Sequence, residues 1–273
     1  MKFKFLLATA LAGVLAPFAQ AQNTANAVLN YNPGVGFATE FGTGAGYTNS
    51  SAALGLPTQT TPPPFASPVT PYNPAYGAQN LVSIGQGGTI TLALSQPVEN
   101  RTDHFGLDFI IFGNTGFVIS NGDFTDAGIT DGTLFGQNTG NTRISVSADN
   151  LNYFELTPSL RPVLDAYFPT DSAGNPTLPV NPSLTAADFN GKNLAGIRAL
   201  YGGSAGGTGY DISSARTASG AEAGLTSIQY VKIDVLSGVA EIDAIVAVPE
   251  PQTYALGVSG LLVIGLAALR RRS

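Results

Sequence analysis

Cysteine and tryptophan are absent, histidine occurs once, and charged residues make up only 11% of the 273-residue chain. Without cysteine there can be no disulfide framework, thiol nucleophile, Cys-ligated zinc or iron–sulfur cluster. A lone imidazole, His104, cannot assemble a multi-His metal centre. Without tryptophan, the flat aromatic platforms typical of sugar sites have to come from the 10 Tyr and 15 Phe, many of which the core also needs. Positive charge is scarcer still. Lys2 and Lys4 precede residue 22, and Arg270, Arg271 and Arg272 follow residue 248, which leaves seven basic against seventeen acidic residues between them, a net charge of −10. No basic patch is available for nucleic acid, so that class of partner is excluded.

Glycine and proline are plentiful, with 33 and 18 copies. Together with low charge they suit a protein of short strands and long loops. Both ends depart from that composition. Lys2 and Lys4, the apolar run Phe5 to Ala16, and the small-x-small pattern Ala19-Gln20-Ala21 stand in the order of a secretory signal that signal peptidase would remove before Gln22. At the other end, Tyr254 to Leu269 is sixteen uncharged, mostly apolar residues. As a helix rising 1.5 Å per residue it is about 24 Å long, marginal against a hydrocarbon core of about 30 Å. Arg270, Arg271 and Arg272 behind it would stay cytoplasmic and hold the tail in the inner membrane, with the bulk of the chain outside.

Pro249-Glu250-Pro251, the short Gly/Leu/Ala-rich span and the terminal Arg run together resemble the PEP-CTERM sorting signal of Gram-negative bacteria. The resemblance implies processing by an exosortase-type enzyme near Pro-Glu-Pro and delivery to the cell surface or its exopolysaccharide matrix. The expected organisation is a signal peptide over 1–21, a low-charge segment with a Pro-rich loop over 22–79, a β domain over 80–248, and the sorting segment over 249–273.

Within the body the apolar pattern has a period of two. Ile90, Leu92 and Leu94 share one face of Thr89–Ser95, and Val231, Ile233 and Val235 share one face of Tyr230–Val235, with Tyr230, Lys232 and Asp234 on the other. Leu107 to Phe112 is a continuous apolar run, as expected of a strand covered on both faces. Arg143–Ser147 and Tyr153–Thr157 flank the turn at Asp149-Asn150, and Glu241–Val246 reads as a final strand. Ala27–Tyr31 is a further candidate strand, whereas Gly34–Gly46 and 57–76 read as loops. Leu194, Ile197 and Tyr201 fall at helical spacing, with Gly202 placed as the C-cap. The fold expected is mainly β, an antiparallel β-sandwich or jelly roll with long Gly/Pro/Asn-rich loops and one short helix, plus a signal helix and a C-terminal transmembrane helix.

The order Gly88-Thr-Ile-Thr-Leu, Gln96-Pro-Val-Glu-Asn100, Asp108-Phe-Ile-Ile-Phe112, Val146-Ser-Ala-Asp-Asn-Leu-Asn-Tyr-Phe154, Gly206-Gly-Thr-Gly-Tyr-Asp-Ile212, Tyr230-Val-Lys-Ile-Asp234 and Glu241-Ile-Asp-Ala-Ile245 is similar to a family of bacterial cell-surface proteins. That resemblance implies a β-sandwich like discoidin-type, carbohydrate-binding modules. Where the family often carries Glu-Asn-Gly, this chain has Gly113-Asn114-Thr115, so no acidic role transfers there.

Three chemistries are open to these residues. Gly202-Gly203-Ser204-Ala205-Gly206 matches the Gly-x-Ser-x-Gly elbow, but His104 lies upstream and a helix rather than a strand precedes it, which favours a plain Gly-rich loop. Asp123, Asp126 and Asp131, with Asn114, Asn121 and Asn138, could supply oxygen ligands to calcium, although the spacing is not that of an EF-hand and solvated loop acids are the simpler reading. A carboxylate pair could serve a glycan hydrolase. Turn or loop closure is the expectation for Asp211, Asp234, Glu241 and Asp243, and a loop position for His104. The reading favoured overall is a non-catalytic surface or matrix module, the alternatives being a secreted glycan hydrolase and a calcium-stabilised adhesion module.

Overall fold

A computed structural model describes residues 22–124, 127–136, 140–157, 164 and 168–249. The chain is mainly β and its named sheets are antiparallel, as expected. The largest sheet has six strands in the order β1 (Ala25–Asn32), β3 (Thr89–Glu99), β13 (Ser227–Ser237), β8 (Asn141–Ser147), β9 (Phe154–Leu156) and β12 (Ala215–Arg216). Its register follows the apolar alternation: Ile233 lies between Ile90 and Ile144, and Val231 between Leu92 and Val146, all fully buried. Slipping β13 by one residue would turn Val231, Ile233 and Val235 to the outer face in exchange for Lys232 and Asp234. At about 1.5–3 kcal/mol for each large apolar side chain, three such losses alone match much of a domain's net stability.

A second layer faces this sheet. It comprises a three-stranded sheet, β11 (Thr208–Tyr210), β4 (Phe109–Phe112) and β15 (Ala244–Ala247), and the pair β14 (Ala240–Ile242) and β2 (Val82–Ile84). Phe109, Ile111, Ile245, Val82 and Ile242 join the main core with Ile90, Val231 and Ile144. Ile110 and Phe112 point the other way, into a second cluster with Ala205, Ala244, Val246 and Val248. The continuous apolar run of β4 is therefore covered on both faces.

The sequence reads Glu241–Val246 as one strand, and here the structure differs. The chain breaks at Asp243, so that β14 pairs with β2 and β15 with β4. The Asp243 N–H donates to Phe112 O at 2.8 Å, and its carboxylate is turned inward to Thr58. A buried carboxylate held on both sides ends one strand and starts the next.

A third cluster gathers Phe117, Phe168, Val180, Phe189, Ile197 and Tyr201 around α1 (Ala186–Phe189) and α2 (Leu194–Tyr201). Helix α2 starts at Asn193, whose Oδ1 accepts from Gly196 N at 2.9 Å, and ends at Gly202 in the left-handed region, φ 61°. The two-residue strands β5 (Gly116–Phe117) and β7 (Leu134–Phe135) pair with each other, and β6 (Ile129–Thr130) pairs with β10 (Lys192–Asn193). The Pro-rich loop packs onto the body, with Val69 fully buried beside Tyr47, Ala75 and Leu81. First and last strands meet: Thr24 bridges Val246 in antiparallel fashion, and Ala247 N donates to Asn23 O at 2.8 Å. Among the described residues no helix is long and apolar enough to cross a membrane.

Candidate functional site

Residues from separate stretches of the chain line an open cleft of about 510 Å³, among them Phe41, Tyr47, Phe65, Tyr72, Tyr76 and Phe135. Phe41, Phe65 and Phe135 are 80%, 61% and 42% exposed. Side chains of this size normally leave water, so three of them around one concavity mark a contact surface. The rings are held from beneath. Phe65 and Tyr76 meet edge to face with centroids 6.0 Å apart. The hydroxyls of Tyr47 and Tyr76 donate to the carbonyls of Tyr76 and Pro62, and that of Tyr72 to the carbonyls of Gly128 and Lys192. With their hydroxyls committed, these tyrosines offer the cleft ring surface. Phe135 lies across β5 at Gly116, where a Cβ would stand 2.5 Å from its Cζ, so a larger residue there would push the ring aside.

Polar groups are few and placed low. Asn114 lines the cleft, and its Oδ1 is buried without a hydrogen-bond partner among the described residues. A buried acceptor left unsatisfied costs about 1–3 kcal/mol. Glu241, 5% exposed on β14, also lines the cleft. Burial first, then the charges of Glu241 and Glu40, push the Tyr47 phenol up to about 12. Glu40 pins the loop carrying Phe41: Oε1 accepts from Ala78 N and Oε2 from the Thr43 hydroxyl. The result is a concave, mostly apolar surface with a few fixed polar atoms, the usual make-up of a small-ligand or saccharide site.

Of the candidate calcium acids, Asp123 and Asp131 are among the described residues. Asp131 is exposed and its Oδ1 accepts from Thr133 N at 2.9 Å, which draws its carboxyl below the usual range. Asn121, two residues before Asp123, is committed to its own loop, accepting from Asp123 N and Ile129 N and donating to Ala127 O. Asp126 and Asn138 lie outside the described residues. Among the described residues no three His, Cys, Asp or Glu come together as a metal site. Ser204 is 2% exposed and its Oγ accepts from Gly206 N, a loop-closing role. His104 sits beside Asp103, with Nε2 3.9 Å from Oδ2, in a turn where His104 and Phe105 both have positive φ. Asp211 caps a 3-10 turn by accepting from Ser213 N, and Asp234 pairs with Arg143 at 3.0 Å. Ala19, Ala21, Glu250, Pro251, Arg270, Arg271 and Arg272 fall outside the described residues, whereas Pro249 is exposed just beyond β15.

Two buried acids act as structural clips. Asp108 accepts from Arg101 N and Ile212 N, both at 2.8 Å, and Asp243 accepts from Thr58 N at 2.9 Å and the Thr58 hydroxyl at 2.8 Å. Burial raises both carboxyls to about 7, against the opposing pull of those donors. Each holds its proton more tightly folded than unfolded. Their contribution is therefore complete below about pH 4 and is lost as pH rises through 7. Asp131, Asp149 and Asp188 are shifted down by local hydrogen bonds, so their contribution is complete above about pH 4 and is lost only as pH falls below it. Thermal unfolding should show a falling Tm between pH 5 and 8. Asp243→Asn should flatten that slope, because an amide can accept from Thr58 N and donate to its hydroxyl. A Tm that is level or rising over that interval would contradict the assignment.

The aromatic cleft itself escaped the sequence. Its rings come from segments up to about 95 residues apart, none with a motif, and the only local hint was the density of Phe and Tyr in a low-charge region. Neither the protein-family models nor the curated proteins compared with the chain gives a match.

Proposed function

We propose that this chain is an exported, non-catalytic binding module of β-sandwich architecture that takes up polysaccharide in the aromatic cleft. The observation that carries the reading is the set of three exposed phenylalanines around a cleft that also holds the buried Asn114 acceptor, unpartnered among the described residues. A pyranose chain matches it, with C–H faces to lie against fixed rings and hydroxyls to meet the cleft's few polar side chains. Export rests on the Ala19/Ala21 signal pattern. Transient anchoring in the inner membrane and delivery by an exosortase-type enzyme to the cell surface or matrix rest on the Pro249-Glu250-Pro251 and Arg270–Arg272 pattern. Absence of turnover is favoured because Ser204 is buried and tied, and because Asp108 and Asp243 are occupied as clips.

A neutral-glycan array with the purified protein should show binding without release of product. Phe65→Ala and Phe135→Ala should each weaken it about three- to tenfold at unchanged Tm, the scale of one lost aromatic contact of about 0.5–1.5 kcal/mol. Turnover abolished by Glu241→Gln would replace the module with a hydrolase, and no binding at all would remove the reading. For the sorting step, the intact mass of the mature protein should lack Tyr254–Ser273, and a mass that retains it would refute processing.

A further inference from the structure

The outer face of the six-stranded sheet carries a second cleft, of about 600 Å³, whose charge runs against that of the protein. Three of the seven basic residues between positions 22 and 248 line it, Arg143, Lys232 and Arg216, in a body whose net charge is −10. Strand register arranges them. Lys232 stands opposite Ser145, Ser145 opposite Glu155, and Glu155 opposite Arg216, one continuous row across β13, β8, β9 and β12. In the neighbouring row Asp234 stands opposite Arg143.

Asp234 does not cancel the cations. One carboxylate is shared between Arg143, at 3.0 and 3.2 Å, and Lys232, at 3.4 Å, which leaves surplus positive charge at that end of the row. Lys232 also stands 5.8 Å from the centroid of the Tyr153 ring, so an ammonium and an aromatic face are offered together. At the other end, Arg216 Nη1 donates to the carbonyls of Ser213 and Ala215, which fixes the guanidinium. Its nearest carboxylate, Glu222, is 82% exposed and only within 3.9 Å. Lys232 and Arg216 are three strand spacings apart, about 14 Å between their backbones. No single carboxylate reaches both, and Glu155 between them repels a ligand charged at every unit.

We infer that this face binds an acidic polysaccharide in which carboxylate-bearing sugars alternate with neutral ones. One carboxylate docks at Lys232 and Arg143 with its sugar against Tyr153. The next docks at Arg216, and hydroxyls of the neutral sugar between them donate to Glu155 and meet Ser145. The inference rests on the glycan-module reading but uses a different surface, so the two can fail separately.

The test is titration of the purified protein with a hexasaccharide of alternating glucuronate and N-acetylhexosamine, against oligogalacturonate, polyglutamate and a neutral chitohexaose. The alternating acid should bind most tightly, with an affinity that falls as salt is raised. Lys232→Gln and Arg216→Gln should each weaken it about tenfold, one charge-assisted contact each. Glu155→Gln should raise oligogalacturonate affinity and erase the preference for alternation, a change that a merely structural Glu155 would not produce. The inference is overturned if the alternating acid fails to bind at low salt while neutral glycans still bind and respond to Phe65→Ala. It is also overturned if polyglutamate binds equally well, or if binding is indifferent to both cation variants. If no glycan binds, the module reading falls with it.

Discussion

Asp108→Ala is expected to lower the unfolding free energy by on the order of 3–5 kcal/mol, read as a drop in denaturant midpoint at unchanged slope. The carboxylate receives the backbone N–H groups of Arg101, seven residues away, and Ile212, 104 residues away. Its own N–H donates to Tyr210 O and its carbonyl accepts from Val248 N. Alanine leaves two donors facing a buried site with nothing to accept them. Asparagine has the right volume but only one acceptor, and its amide group would confront an N–H, so Asp108→Asn should recover only part of the loss. Asp243→Asn, where the partner is a hydroxyl able to reverse its role, should be far milder. If Asp108→Ala cost less than 1 kcal/mol, the clip assignment would be wrong.

Phe109→Ala should be comparably severe, about 3–5 kcal/mol. Phe109 is fully buried on the central strand of the small sheet and stacks on its cross-strand partner Tyr210, with centroids 5.3 Å apart and planes 16° apart. Removing the ring opens a cavity between two sheets whose strands are fixed by their own ladders and cannot close on it. Phe135→Ala, by contrast, removes a ring that is 42% exposed, so its effect belongs on ligand affinity and not on Tm. The pair separates core phenylalanines from cleft phenylalanines in one set of melts.

How far the sequence carried these conclusions depended on whether the signal was local. Alternation located β3, β8 and β13, and the unbroken apolar run marked β4 as covered on both faces, because burial of side chains writes its period directly into the chain. Gly202 ended α2 where its spacing placed it. The strand break at Asp243 was hidden because its cause, Thr58, is 185 residues distant. Helix α1 went unread although Thr185 and Asp188 form a capping box, three residues apart, that announces it. The short strands β5, β6, β7 and β10 hold two residues each, too few for any period to show. Both clefts depend on which segments become neighbours. Alternation already turned Lys232 and Asp234 to the outer face, yet only the strand order brings Arg143, Glu155 and Arg216 beside them.

The meeting of the first and last strands bears on how the domain responds to force. Because Thr24 and Val246 are antiparallel neighbours, the backbone enters and leaves the body side by side at one pole. A load applied between the two ends would reach Val248 N to Asp108 O and Ala247 N to Asn23 O before the contacts further in, which would then peel one after another, like a zipper. Strands pulled lengthwise past each other would instead share the load among several bonds. Held by a single end, the same body carries no tension across its sheets.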